Sequence, residues 1–267
     1  MSLAKKLIAA GILGVVLIAG ILAYTVLRTP AEASAPITAI PLAASSAAPA
    51  VTASAAASAA ASTADAAGAQ VAPTTAATSE AAASATTSSG AILAQIVSSE
   101  SEAHFVIDEV LNNAPKTVIG TTDQVAGEIS VDPSDPSKTQ VGVIQVNART
   151  LTTDSDFRNR AIKNQILSTD QYEFVTFTPT AISGLPESGA VGQSYTFQIT
   201  GDLQIRDVTK QVTFDVTATP VSETRLEGSA QTTINYADWG ITIPQVRQVA
   251  SVSDEVRLEI EFVAVPK

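Results

Sequence analysis

Ser194-Tyr195-Thr196-Phe197-Gln198-Ile199-Thr200-Gly201-Asp202-Leu203-Gln204-Ile205 is the stretch whose reading decides the fold. Tyr195, Phe197, Ile199, Leu203 and Ile205 share one parity, and Thr196, Gln198, Thr200, Asp202 and Gln204 take the other. Period two with one polar face is the pattern of an antiparallel strand wetted on one side. The pattern recurs downstream. Val212, Phe214, Val216 and Ala218 oppose Thr213, Asp215 and Thr217, and Val256, Leu258, Ile260 and Phe262 oppose Arg257, Glu259 and Glu261.

Further strands are expected at 105–110, 117–122, 125–131, 139–148, 174–182 and 226–235. Turns fall at Asp132-Pro133-Ser134-Asp135-Pro136 and at Ser183-Gly184-Leu185-Pro186. Strands that each carry one apolar face must close on themselves or stack as a sandwich. One segment breaks the alternation. Asp154-Ser155-Asp156 offers helix N-caps, and Phe157, Ile162, Ile166 and Leu167 follow at near-helical spacing, which predicts one short helix with Arg158, Arg160 and Lys163 facing solvent. Residues 91–102, with Ile92, Leu93, Ile96 and Val97, read as a short helix leading into the domain.

The domain so outlined spans residues 101–267. Ahead of it the composition changes. Leu7 to Leu27 is an uncharged apolar run preceded by Lys5 and Lys6. It is long enough to cross a hydrocarbon core of ~30 Å. Residues 1–28 are therefore expected to be a transmembrane anchor, and the positive-inside bias puts the N-terminus in the cytoplasm and the rest outside, in the periplasm or at the cell surface. Ala31-Glu32-Ala33 keeps a cleaved signal peptide open as the alternative. Residues 29–100 are dominated by Ala, Ser, Thr and Pro, too poor in large apolar side chains to offset the entropy of ordering, and read as a disordered spacer. Its root-mean-square reach would be on the order of 45 Å.

Charge and composition exclude several functions. The chain carries 15 basic and 26 acidic residues, one histidine and no cysteine. The acidic balance speaks against nucleic acid. Without cysteine there is no disulfide, thiolate metal site or cysteine nucleophile, and a single histidine leaves zinc only carboxylates. His104 has no Gly-x-Ser-x-Gly partner and reads as a structural residue near the first strand. Asp154 and Asp156 lack the ligand spacing of a calcium loop. No catalytic group, metal or cofactor is expected.

The residues carry a resemblance. Gly127-Glu128-Ile129-Ser130-Val131-Asp132, then Asn147-Ala148-Arg149-Thr150-Leu151-Thr152-Thr153 with Arg158-Asn159-Arg160, resemble the opening strands and the strand-to-helix segment of the YceI-like family of polyisoprenoid-binding, lipocalin-like barrels. Tyr172-Glu173-Phe174-Val175-Thr176-Phe177 falls at the next family strand. The strongest match is Gly201-Asp202-Leu203-Gln204-Ile205-Arg206-Asp207-Val208-Thr209-Lys210-Gln211-Val212, supported by Asp238-Trp239-Gly240-Ile241 and Val252-Ser253-Asp254-Glu255-Val256. The chain departs from the family at Ala161, Glu173, Tyr236 and Leu111-Asn112, where the family carries His, Pro, Arg and a His-Ser pair.

The resemblance implies an all-β fold: an antiparallel eight-stranded barrel with one short helix and an apolar lipid, such as a polyisoprenoid, a quinone or a fatty-acid-like chain, lying inside. An eight-stranded barrel has room for one such ligand. With the parity above, Tyr195, Phe197, Ile199, Val212, Phe214, Val216, Leu258, Ile260 and Phe262 face inward, joined by Ile144, Val146, Phe177 and Trp239. These residue types serve equally as the lining of a cavity or as a filled core. The Arg158, Arg160, Lys163 cluster reads as a solvated helix face or as a greeting for a lipid headgroup. The expected function is a membrane-tethered, non-enzymatic lipid carrier. A structural or adhesive surface domain with a filled barrel is the alternative, and a homodimer is compatible with either.

Overall fold

A computed structural model describes residues 24, 28–42, 90–244 and 249–267. The expected anchor lies almost wholly outside the described residues, as does most of the spacer. Among the described residues no helix is long and apolar enough to cross a membrane.

The fold is all-β, one curled antiparallel sheet carrying a short helix. In chain order the strands are β1 (Ile92–Ile96), β2 (Glu102–Leu111), β3 (Ala114–Thr122), β4 (Val125–Ala126), β5 (Glu128–Val131), β6 (Gln140–Val141) and β7 (Ile144–Asn147). They continue as β8 (Phe174–Ser183), β9 (Tyr195–Ile205), β10 (Val208–Ser222), β11 (Arg225–Asn235), β12 (Val249–Val252) and β13 (Glu255–Pro266). The pairing runs β4-β7-β8-β9-β10-β11-β13-β1-β5-β6, with β2 against β3, β12 and β13. The two ends of that path meet along the chain, since β4 runs into β5 through Gly127 and β6 runs into β7 through Gly142-Val143. A β-barrel results.

The parity that predicted the strands also sets the register. Phe197 faces Val216 and Ile199 faces Phe214 across the β9–β10 hairpin, which turns at Arg206-Asp207 with Arg206 at a φ of 58°. The β2–β3 hairpin turns on Asn112 and Asn113, at φ of 50° and 64°. Two positive φ values in succession give a type I′ turn, whose twist suits a two-residue hairpin. Every weaker strand expected from sequence is present, with 125–131 broken at Gly127 and 139–148 broken at Gly142-Val143.

The segment 91–102 is a correction. It forms β1 followed by a single 3-10 turn at Ser98–Glu100, not a helix. Its apolar residues fit either period, and the strand is selected because it fills the gap between β5 and β13, pairing with both. Ala94 and Ile96 are buried as a result. The domain therefore begins near Ile92.

The helix, α1 (Asp156–Ala161), is capped by Ser155, whose Oγ accepts from the Arg158 backbone N–H. It continues as a π-turn at Ile162–Ile166. Two side chains on it face opposite to expectation. Phe157 is 56 % exposed, whereas Arg158 turns inward to pair with Glu109 at 2.9 Å and with Asp154. The π-turn rotates the phase of the helix, so Ile162, Ile166 and Leu167 face the barrel from a different angle than residues before it.

Arg28 was expected to end the anchor and residues 29–42 to open the spacer. They lie along the domain instead, making contacts with it from Arg28 to Leu42. Three carboxylates that meet this segment are held below their ordinary values. At Glu128 burial pushes the carboxyl up, but hydrogen bonds from Lys267 and the Leu42 N–H outweigh it. At Glu173 burial is likewise outweighed by the Ser34 hydroxyl and N–H, Asn147 and Arg149. The Arg28 hydrogen bond and charge lower Asp170. Depressed folded values mean that the stabilisation is complete above the ordinary glutamate value of 4.5 and is lost as pH falls through the folded values. Thermal unfolding between pH 7 and pH 3 should show a declining midpoint below about pH 4.5, and Glu128→Gln should flatten part of that decline.

Candidate functional site: the barrel lumen

The barrel interior holds two adjoining apolar chambers, of about 530 Å³ and about 230 Å³. Ile144, Phe177, Phe214 and Ile260 line both. They form a waist, at which the Phe177 and Phe214 rings meet edge-to-face with centroids 4.9 Å apart.

The larger chamber opens among loops. Pro133 and Pro136 come from the β5–β6 loop, Leu185, Pro186 and Val191 from the β8–β9 loop, and Glu223 and Thr224 from the β10–β11 turn. Val191 is 56 % exposed, so this rim presents apolar surface to its surroundings. The smaller chamber ends beneath Leu151, Ile162, Ile166 and Leu167, that is, under α1 and its π-turn. Glu109 and Arg158 are a polar group at that end, and their 2.9 Å pair compensates each charge where burial alone would be costly.

Of the residues expected to face inward, Tyr195, Phe197, Ile199, Val216 and Phe262 line the larger chamber. Val146 and Leu258 line the smaller, and Ile144, Phe177, Phe214 and Ile260 line both. Val212 and Trp239 line neither. Val212 packs against the core cluster, and Trp239, 2 % exposed, lies within it. A 3-10 turn (Tyr236–Trp239) capped by Asn235 and closed by Gly240 at a φ of 65° turns the indole inward. Its Nε1 then donates to the Leu203 carbonyl at 3.2 Å.

Sequence reasoning missed the contribution of β1, where Ile92, Ala94 and Ile96 line the larger chamber, and that of Ile129 and Val131 on β5. Alternation within 92–96 was the available signal. It also missed Ala103, Phe105 and Ile107 on β2 as lining of the smaller chamber. His104 sits half-buried on β2 with its Nε2 unpartnered and 3.7 Å from Glu102.

Gly228 and Gly201, like Gly120 under Phe105, leave room for aromatic rings of the lumen wall. A Cβ on Gly228 would fall 2.6 Å from both the Phe262 ring and the Thr217 carbonyl, and one on Gly201 would fall 2.7 Å from the Phe177 ring and closer still to the Thr178 carbonyl. Each ring therefore lies flat over a neighbouring strand where only a glycine fits. Gly228→Val should displace both the Phe262 ring, toward the larger chamber, and the β10 backbone at Thr217, at a cost of roughly 1–3 kcal/mol. Chemical denaturation should register that loss, and long-chain ligand uptake should weaken with it.

The Asn147-to-Thr153 motif is structural in its contacts. Asn147, fully buried, accepts from the Arg149 N–H and donates to Glu173. Arg149 donates to the Thr169 and Asp170 carbonyls, tying the strand-to-helix crossover to the start of β8.

The described residues thus form an antiparallel β-barrel with an apolar interior and a loop-framed mouth. The family model for the YceI-like domain matches residues 95–264. The chain belongs to the YceI-like domain family. Among solved structures it is similar to a polyisoprenoid binding domain from Saccharophagus degradans implicated in plant cell wall breakdown. The identity is 14 % and the TM-score 0.53, covering 66 % of this chain and 99 % of that one. It is also similar to BcnA of Burkholderia cenocepacia, at 18 % identity and a TM-score of 0.51, covering 64 % of this chain and 99 % of that one. At such identities the likeness is one of fold. No curated protein matches the sequence.

Proposed function

We propose that this chain is a membrane-tethered, extracytoplasmic binding protein that sequesters or carries one long apolar lipid inside its barrel, without chemistry. The observation that carries the proposal is the pair of apolar chambers joined at the Phe177–Phe214 waist. Their combined volume lies within the ~300–1,000 Å³ typical of small-molecule sites. The alternative, an adhesive barrel filled by its own side chains, leaves these chambers unexplained.

The shape favours a linear cargo over a compact one. On this reading the thirteen strands of the described residues count as eight staves, with β1–β2, β3–β4–β5, β6–β7 and β12–β13 each taken as a single run of chain with a local break. Strands of up to 15 residues, at a rise of ~3.3 Å and a tilt of ~40°, give a lumen on the order of 25–40 Å long. An isoprenoid tail or quinone side chain fits such a tube, and apolar burial at roughly 25 cal/mol per Å² would supply its affinity. The neighbour from Saccharophagus degradans, described as a polyisoprenoid binding domain, supports that class of ligand. Export and membrane tethering rest on the apolar run Leu7–Leu27 and the basic residues that flank it.

Displacement of a fluorescent long-chain fatty acid by isoprenoid alcohols of graded length tests the proposal. Affinity should rise with chain length until the lumen is full. Equal, weak displacement at every length would contradict it.

A further inference from the structure

We propose that residues 28–42 are a strap bound to the outer wall of the barrel. On this proposal the Ala/Ser/Thr-rich stretch 43–89 leaves and rejoins one strand of the domain, and does not separate the domain from the chain ahead of Arg28.

The strap is held at three places. At its start Arg28 pairs with Asp170 at 2.9 Å, while the Arg28 carbonyl accepts from Asn164 at 2.8 Å. In its middle the Ser34 N–H and hydroxyl both donate to Glu173, at 2.8 and 2.6 Å, and Arg149 donates to the Ser34 hydroxyl and the Glu32 carbonyl. At its end the Leu42 N–H donates to Glu128 at 2.9 Å. The receiving groups are built into the wall. Glu128 is 1 % exposed, and the Arg149 and Glu173 side chains are 13 % and 11 % exposed. Glu128 sits beside Ile129, which lines the lumen, so strand alternation puts its carboxylate on the outside, where Leu42 and Lys267 cover it. A buried carboxylate needs its hydrogen bonds, and part of those made by Glu128 and Glu173 come only from the strap.

Both ends of 43–89 then fall on β5 and its exit. Leu42 lies on Glu128, and Gly90 lies against Asp132, a Cβ there falling 3.5 Å from the Asp132 carboxylate. Four residues of strand separate those points, roughly 13 Å. The penalty of closing such an excursion grows only logarithmically with its length, so a long insertion is tolerated between ends this close. The reach of a flexible spacer, on the order of 45 Å, therefore does not set the distance of the domain from Arg28. Asp170 holds Arg28 directly at the α1 end of the barrel. On the anchor reading proposed above, and resting on it, the smaller chamber and the exposed Phe157 face the bilayer while the loop-framed mouth points away.

The chain has no cysteine, so introduced pairs label cleanly. Spin labels at Ala33→Cys and Lys210→Cys in the full chain should give one narrow distance distribution, unchanged when residues 50–80 are deleted. Ser34→Pro with Leu42→Pro, which removes three donors from the strap and no atom of the domain, should broaden it while the domain still unfolds in one cooperative transition, at a lower temperature because Glu128 and Glu173 lose part of their hydrogen bonds. A broad distribution in the unmutated chain would overturn the strap. In lipid nanodiscs carrying quencher headgroups, a fluorophore at Phe157→Cys should be quenched more than one at Val191→Cys. The reverse order would overturn the orientation, and failure of the chain to enter nanodiscs would overturn the anchor reading while leaving the strap distance to stand.

Discussion

Phe197→Arg is expected to weaken long-chain lipid binding by about 100-fold or more, equivalent to roughly 2.8 kcal/mol, with the fold retained. Phe197 is half-buried on β9 and lines the larger chamber. A guanidinium there would have to shed water when an alkyl or isoprenoid chain entered. Without a ligand the same side chain can extend along the wall and hold its charge in the wet mouth. The contrast between binding and folding is the informative part. In a close-packed barrel core the substitution would bury an unpaired charge and unfold the domain. Titration with a fluorescent fatty acid, alongside the thermal midpoint of the same preparation, reads both quantities.

Trp239→Ala is expected to do the opposite: to cost roughly 3–5 kcal/mol of stability and leave the affinity of the remaining folded protein nearly unchanged. Trp239 is almost fully buried but touches neither chamber. Its loss removes packing at the foot of β11 and leaves the Leu203 carbonyl without its indole donor. Urea denaturation measures the first effect, and ligand titration well below the new midpoint measures the second. A large fall in affinity with little change in stability would place Trp239 in the ligand's path.

These two residues also show what sequence could resolve. Parity alone assigned Phe197 and Val216 to one face, and the β9–β10 register joins them across the sheet. Parity could not separate Phe197 from Trp239, because an apolar residue that faces inward either meets a neighbour or meets space. For Phe177 and Phe262 the outcome also depends on Gly201 and Gly228, which are remote in sequence from the rings they accommodate. The segment 92–96 failed for a different reason: its apolar spacing satisfies both periods, and only its partners β5 and β13 choose between them. Arg158 was placed outward on the assumption of an uninterrupted α-helix. The π-turn at Ile162–Ile166 and the buried Glu109 carboxylate, far away on β2, bring it in. The strap was illegible in part because Leu42 and Ser34 bind through backbone N–H groups, which carry no sequence signature, while the Arg28 and Ser34 side chains meet partners more than a hundred residues away.

The most direct measurement is native mass spectrometry of the full chain purified from membranes, followed by organic extraction of whatever leaves with it. A lumen built for one long apolar molecule predicts a single discrete added mass per chain, released on extraction as an isoprenoid, quinone or fatty-acid-like lipid, with a lower unfolding temperature afterwards. A chain that carries no added mass, takes up no lipid when offered it and unfolds at the same temperature before and after extraction would contradict that account.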